Sequence, residues 1–221
     1  MNPLQLCKKL YANYKSQSWW PANSGFEVCV GAILTQNTAW NNVEKAVANL
    51  KKAKMLSCEK LADSKLEKIA RLIKPSGYYN QKAKSLKLFC QYVQKNYKGS
   101  LQRLFSLPVL ALRKELLSLH GIGNETADSI ILYAAGKPMF VIDAYTKRLN
   151  ERLPLNPKAE TYARLQAFFQ SALPKSPRLY NEFHALVVRH CKEACRKKPL
   201  CRKCFLKGEC EFGKISLKAF Y

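Results

Sequence analysis

Four cysteines follow the spacing Cys195-x5-Cys201-x2-Cys204-x5-Cys210, in a stretch that also holds Arg196, Lys197, Lys198, Arg202 and Lys203. Thiolates placed this closely can hold a tetrahedral Zn²⁺ or a [4Fe–4S] cluster, and the chemistry of the donors alone does not separate the two. Cys191 competes with Cys195 for the first ligand position. A second constellation is His120-Gly121-Ile122-Gly123-Asn124, set between two stretches of helical spacing. Glycines two apart allow backbone conformations closed to residues with a Cβ. They also leave bare N–H groups at the start of the second helix, where the helix dipole adds attraction for a phosphate. Ile122 would plug into the core and hold the turn. A phosphate contact of this kind positions a protein without reading base sequence. A plain αα-corner, with glycines for close packing, is the competing reading. Asp143 closes the apolar run Val141-Ile142 and by itself reads as the N-cap of a helix beginning at Ala144.

The elements that must hold these groups read as helices. Val43, Ala46, Val47 and Leu50 recur at helix spacing, and so do Leu66, Ile69, Leu72 and Ile73 before Pro75-Ser76-Gly77 stops them. Another helix opens at Ala83 and runs towards Tyr97, ending near Gly99. Val28 to Leu34 has the composition of a strand but feeds straight into a helical pattern, so it is read as a buried helix. No β-α-β alternation and no repeated hairpins occur, and the chain is expected to be all-α.

The charge selects the partner. Lys and Arg number 38 against 15 acids, a formal net of +23 on 221 residues. A field of that sign favours a polyanion, either nucleic acid or an anionic membrane surface. The longest apolar run is too short to span a bilayer, and no N-terminal segment has the make-up of a secretory signal. The expectation is a cytoplasmic protein associated with nucleic acid, monomeric and with no membrane partner. In that setting the clustered cysteines ask for a metal rather than disulfides.

The run from Leu119-His120-Gly121-Ile122-Gly123 through Thr126-Ala127 to Val141-Ile142-Asp143 resembles the endonuclease III superfamily of base-excision DNA glycosylases. Gly31-Ala32-Ile33-Leu34-Thr35-Gln36-Asn37-Thr38, Gly77-Tyr78-Tyr79-Asn80-Gln81-Lys82-Ala83 and the terminal cysteines extend the likeness to nearly the whole chain. The resemblance implies a helix–hairpin–helix glycosylase fold of two helical lobes with a DNA cleft between them. A six-helix lobe would span residues 25–136, and the other would join residues 1–24 to residues 137–221. It implies a [4Fe–4S] cluster on Cys195, Cys201, Cys204 and Cys210, although relatives usually have six residues in the first gap where this chain has five. The cluster would be structural, holding the basic loop against the DNA backbone.

Such enzymes extrude the damaged nucleotide from duplex DNA. The resemblance makes Asp143 the carboxylate that steadies the cationic sugar and orients or deprotonates a water. Bifunctional relatives carry a lysine where this chain has Glu125, and that lysine forms the Schiff base needed for strand cleavage. A carboxylate cannot, so the likeness is to the monofunctional branch, above all enzymes releasing 3-methyladenine and related alkylated purines. Such bases are cationic in DNA, and Trp19, Trp20 and Trp40 would form a flat pocket that favours them by stacking and cation–π attraction. Gln36 would fill the gap left by the flipped base, and Lys82 would meet a phosphate. Two alternatives are a thymine or adenine mismatch specificity and a damage-binding module without catalysis.

Overall fold

The computed structural model describes residues 1–17, 19, 22–153, 155 and 161–218. Thirteen α-helices are found among them: α1 (Pro3–Tyr14), α2 (Gly25–Leu34), α3 (Trp40–Lys52), α4 (Cys58–Asp63), α5 (Leu66–Leu72), α6 (Tyr79–Tyr97), α7 (Leu101–Phe105), α8 (Val109–Leu117), α9 (Asn124–Ser129), α10 (Ala144–Arg152), α11 (Tyr162–Ser171), α12 (Pro177–Glu193) and α13 (Glu211–Lys218). No strand occurs among the described residues, and the protein is all-α. The chain divides into two compact units. One comprises Met1–Trp19 with Pro138–Tyr221, the other Trp20–Lys137.

In the unit of residues 20–137, α2 is the central helix. Ser24 caps its start by accepting from the Glu27 N–H, and every residue from Val28 to Leu34 is buried. A strand-like composition therefore lies on a helix, because a helix buried all round needs apolar residues on every face. Around it α3 buries Val43, Ala46, Val47 and Leu50, and α6 buries Ala83, Leu86, Phe89, Cys90 and Val93. Helix α5 ends at the turn containing Pro75, as the sequence pattern predicts. Helix α9 continues into a wider turn at Ile130–Ala134, whose Ile130, Ile131 and Leu132 are buried.

In the other unit, α12 is the main amphipathic helix, burying Tyr180, Phe183, Leu186 and Val187, and it packs against α1 and α10. Met139–Ile142 runs outside any helix and is buried throughout between Pro138 and α10. Phe140 stacks on Phe169 at 4.9 Å between centroids and meets Tyr180 edge-on at 5.6 Å. Burying one such ring contributes roughly 2–3 kcal/mol. The backbone of this run is held by side chains from α11: the Phe140 N–H donates to Gln170 (3.0 Å), and Gln166 donates to the Phe140 carbonyl (2.7 Å). The segment leading into Asp143 is thereby fixed on both edges.

Candidate active site and nucleic-acid interface

The hairpin forms where the two glycines stand. Gly121 adopts φ +77°, in the left-handed region, and the Ile122 N–H closes the turn on the Leu119 carbonyl at 3.1 Å. A Cβ on Gly121 would overlap the Ser85 hydroxyl and lie 3.0 Å from the Ser85 Cβ. Glycine is therefore required here by backbone conformation and by close approach to α6 together. Ile122 is buried and pins the turn from below. Gly123 is exposed, its side is open, and it stands as the N-cap of α9 without a side-chain cap. Arg113 on α8 reaches across to Asp128 (2.7 Å) and Asn124 (2.9 Å) on α9, clamping the two helices around the turn. Glu125 is an exposed residue of the first turn of α9.

Gln36 is committed to this hairpin. Its amide nitrogen donates to the Gly121 carbonyl (2.8 Å) and to the Thr126 hydroxyl (3.0 Å). The next residue, Asn37, is exposed with φ +52°, and Tyr78 combines φ +46° with 67 % exposure. Left-handed backbone at residues with a side chain costs free energy and collects at functional surfaces. Asparagine adopts this backbone more readily than other residues with a side chain, whereas nothing in the type of Tyr78 announces it.

Lys82 corrects the sequence expectation. It is 4 % exposed, and its ammonium donates to the carbonyls of Leu34 (2.9 Å) and Ser76 (2.6 Å). Burial lowers its pKa. Its ammonium is spent inside the protein, where it joins the end of α2 to the turn before α6 and ties together the loops that carry Asn37 and Tyr78.

Asp143 caps α10 through one oxygen. Oδ1 accepts from the Thr146 N–H (2.7 Å) and hydroxyl (2.8 Å), while Oδ2 lies 3.5 Å from His184 Nε2 on α12. The carboxylate is 8 % exposed. Burial pushes its pKa up, but the His184 ring and the two Thr146 donors more than offset that, and the group sits below the usual carboxylate range. It therefore stays ionised at neutral pH. The sequence did not announce His184 either; its one hint is that two of only three histidines fall in α12.

Trp40 borders a cavity of about 220 Å³ lined also by Ala22, Glu27, Gly31, Glu44 and Lys51, within which Lys51 pairs with the buried Glu27 at 2.6 Å. Trp19 belongs to the other unit, with the Lys192 ammonium 5.8 Å from its ring. Trp20 lies outside the described residues.

Cys195, Cys201, Cys204 and Cys210 all line one cavity, whose walls include Leu149, Leu153, Leu206 and Phe212. Cys191 does not line it; its thiol donates to the Tyr145 carbonyl at 3.6 Å. Hydrogen bonding from Cys191 and the Arg152 guanidinium hold the Cys195 thiol down at about 6. Arg152 also donates to the Cys195 sulfur (3.3 Å), and the Gly213 N–H to that of Cys210 (3.3 Å). Among the described residues no three donors are drawn together as around a single ion. Four thiols around one apolar cavity suit a larger group with four soft attachment points.

Residues 30–175 match the HhH-GPD superfamily base excision DNA repair protein family. The chain belongs to this family. A relative from Methanocaldococcus jannaschii, a putative DNA repair glycosylase, is 45 % identical over 95 % of this chain and 97 % of its own. The Helicobacter pylori 3-methyladenine DNA glycosylase, solved with 1,N6-ethenoadenine bound, superposes with a TM-score of 0.78 at 30 % identity, covering 87 % of this chain and 98 % of that one. A thymine/uracil-DNA glycosylase from Pyrobaculum aerophilum is 27 % identical over 86 % of this chain and 81 % of its own. The placement in the endonuclease III superfamily holds, and the chain is a DNA repair glycosylase of that superfamily. No described helix is long and apolar enough to cross a membrane.

Proposed function

We propose that this glycosylase is monofunctional and hydrolyses the N-glycosidic bond of alkylated purines in duplex DNA. The observation that carries the reading is Asp143, a buried carboxylate held ionised with one oxygen spent on capping and the other left beside His184. A fixed anion in a nearly dry site stabilises the positive charge that develops on the sugar as the base departs. The same oxygen can take a proton from the attacking water. An alkylated purine already carries positive charge, so it leaves as a neutral base with little need of an acid.

Glu125 supports the absence of a lyase step, since its carboxylate cannot form an imine with the opened sugar. The Helicobacter relative supports a purine lesion, and Trp40, bordering a cavity that also carries Glu44, offers a ring face that suits a cationic base. The N–H groups of Gly123 and the start of α9 would receive a phosphate. Asn37 and Tyr78 are the exposed side chains of their loops and would touch the opened duplex, while Gln36 braces the hairpin. Cys195, Cys201, Cys204 and Cys210 would hold the [4Fe–4S] cluster, with Cys191 outside the ligand set. The cluster supplies a cross-link among these segments, and Arg196, Lys197, Lys198, Arg202 and Lys203 remain on the surface for the DNA backbone.

The test presents duplexes holding 3-methyladenine, 7-methylguanine, an oxidised pyrimidine, uracil or a thymine mismatch, and scores base release and strand nicking separately. Release of the alkylated purines without nicking is expected. Release confined to uracil or mismatched thymine would contradict the purine assignment, and release of no base would contradict both.

A further inference from the structure

Three of the cysteines outside the C-terminal set meet in the unit of residues 20–137. Cys29 comes from α2, Cys58 opens α4, and Cys90 lies in the middle of α6. Cys29 and Cys90 are fully buried, whereas Cys58 is half-buried and opens on a cleft lined also by Phe26, Gln94, Lys98 and Phe105. Cys58 and Cys90 form a pair within this trio. Cys58 Sγ lies 3.7 Å from the Cys90 carbonyl oxygen, which sets the two cysteines side by side where α4 packs on α6. The cluster loop and the helix–hairpin–helix use neither residue.

We infer that Cys58 and Cys90 form an oxidisable dithiol: Cys58 attacks a small-molecule disulfide arriving through the cleft, and Cys90 resolves the product into a Cys58–Cys90 cross-link. The thiolate is the attacking species in such exchange, and an accessible thiolate beside a second thiol is the arrangement that oxidation-sensitive proteins use. Hydrogen bonding from Cys90 holds the Cys58 thiol below its ordinary range, and that same bond together with burial pushes Cys90 up. The outer sulfur is thus the nucleophile and the inner one the resolving thiol.

In the first step the Cys58 sulfur bonds to one sulfur of the incoming disulfide, and the other leaves as a thiolate. In the second, the Cys90 sulfur displaces the remaining half, which departs with the Cys90 proton. The balance is two protein thiols and one disulfide giving one protein disulfide and two small thiols. The ring closed joins positions 32 apart in the chain and fixes α4 to α6, the helix that also carries Lys82 and Ser85. Such a closure restricts the unfolded chain and raises the unfolding midpoint. The inference stands apart from the glycosylase reading.

The experiment titrates the cluster-loaded protein with oxidised glutathione, blocks free thiols with iodoacetamide, and maps the peptides by mass spectrometry. A linked pair containing Cys58 and Cys90, reversed by dithiothreitol, is expected. Cys90→Ser should stop at glutathione on Cys58, and Cys58→Ser should leave Cys90 unmodified. Equal alkylation of Cys58 and Cys90 with and without the oxidant would overturn the inference. Glutathione persisting on wild-type Cys58, or a cross-link from Cys90 to Cys29, would overturn it too. The wild-type map decides by itself, so a variant that fails to fold does not shelter the proposal.

Discussion

Replacing Gly121 by alanine probes the contact that shapes the hairpin, which the proposed function places on DNA. Two penalties follow from the geometry. The left-handed backbone at φ +77° costs an L-residue about 1–2 kcal/mol. The new Cβ collides with Ser85, whose own Cβ is 3.0 Å away and whose hydroxyl is nearer still, and overpacking of that kind costs about 1–3 kcal/mol. The sum is a loss of about 2–5 kcal/mol, read as a lowered urea midpoint at unchanged slope. The two penalties separate in a double-mutant cycle with Ser85→Gly. That change removes the obstructing side chain but not the backbone strain, so Gly121→Ala should then cost only about 1–2 kcal/mol. Affinity for undamaged duplex should fall in Gly121→Ala and recover in part in the double variant. A cost below about 0.5 kcal/mol, or the same cost in both backgrounds, would refute the bracing of the hairpin by α6.

Further outcomes follow from the other contacts. Lys82→Ala leaves the buried carbonyls of Leu34 and Ser76 without their donor and should cost about 1–3 kcal/mol in urea unfolding; an unchanged midpoint would show that water replaces the ammonium. His184→Phe withdraws the strongest influence that lowers the Asp143 pKa, leaving only the Thr146 donors to oppose burial. The native carboxylate stays charged below the ordinary value, and activity is lost only as pH falls through the depressed pKa, so the acid limb of base release should move to higher pH in this variant. Tyr145 and Cys191 are the other titratable neighbours of Asp143, and both should stay neutral across that limb. Cys195→Ser should lose the visible iron–sulfur absorption on purification while Cys191→Ser keeps it; the reverse pattern would reassign the first ligand.

The sequence carried the parts of this molecule that depend on local chemistry. Helical spacing located α3, α5 and α6, and Pro75-Ser76-Gly77 marked where α5 must stop. The glycine pair announced the hairpin because the left-handed backbone at Gly121 favours glycine. Asp143 read alone as an N-cap is one, and that role uses Oδ1 while Oδ2 faces His184. What stayed hidden depends on contacts between residues far apart in the chain. Lys82 looked like a surface cation because lysines usually are, yet it crosses 48 positions to the Leu34 carbonyl. The tie from Gln36 to the hairpin spans 85 positions, and His184 reaches Asp143 only once α12 has packed on α10. No periodicity encodes such pairings.

The most direct test takes a duplex with one 3-methyladenine or 7-methylguanine and follows wild type and Asp143→Asn in single turnover. Base release, strand nicking and borohydride trapping are scored in the same reaction. Wild type should release the base with no nick and no trapped complex, and Asp143→Asn should bind the duplex but release nothing. Release that survives in Asp143→Asn, or a trapped covalent complex with wild type, would contradict a monofunctional glycosylase built on Asp143.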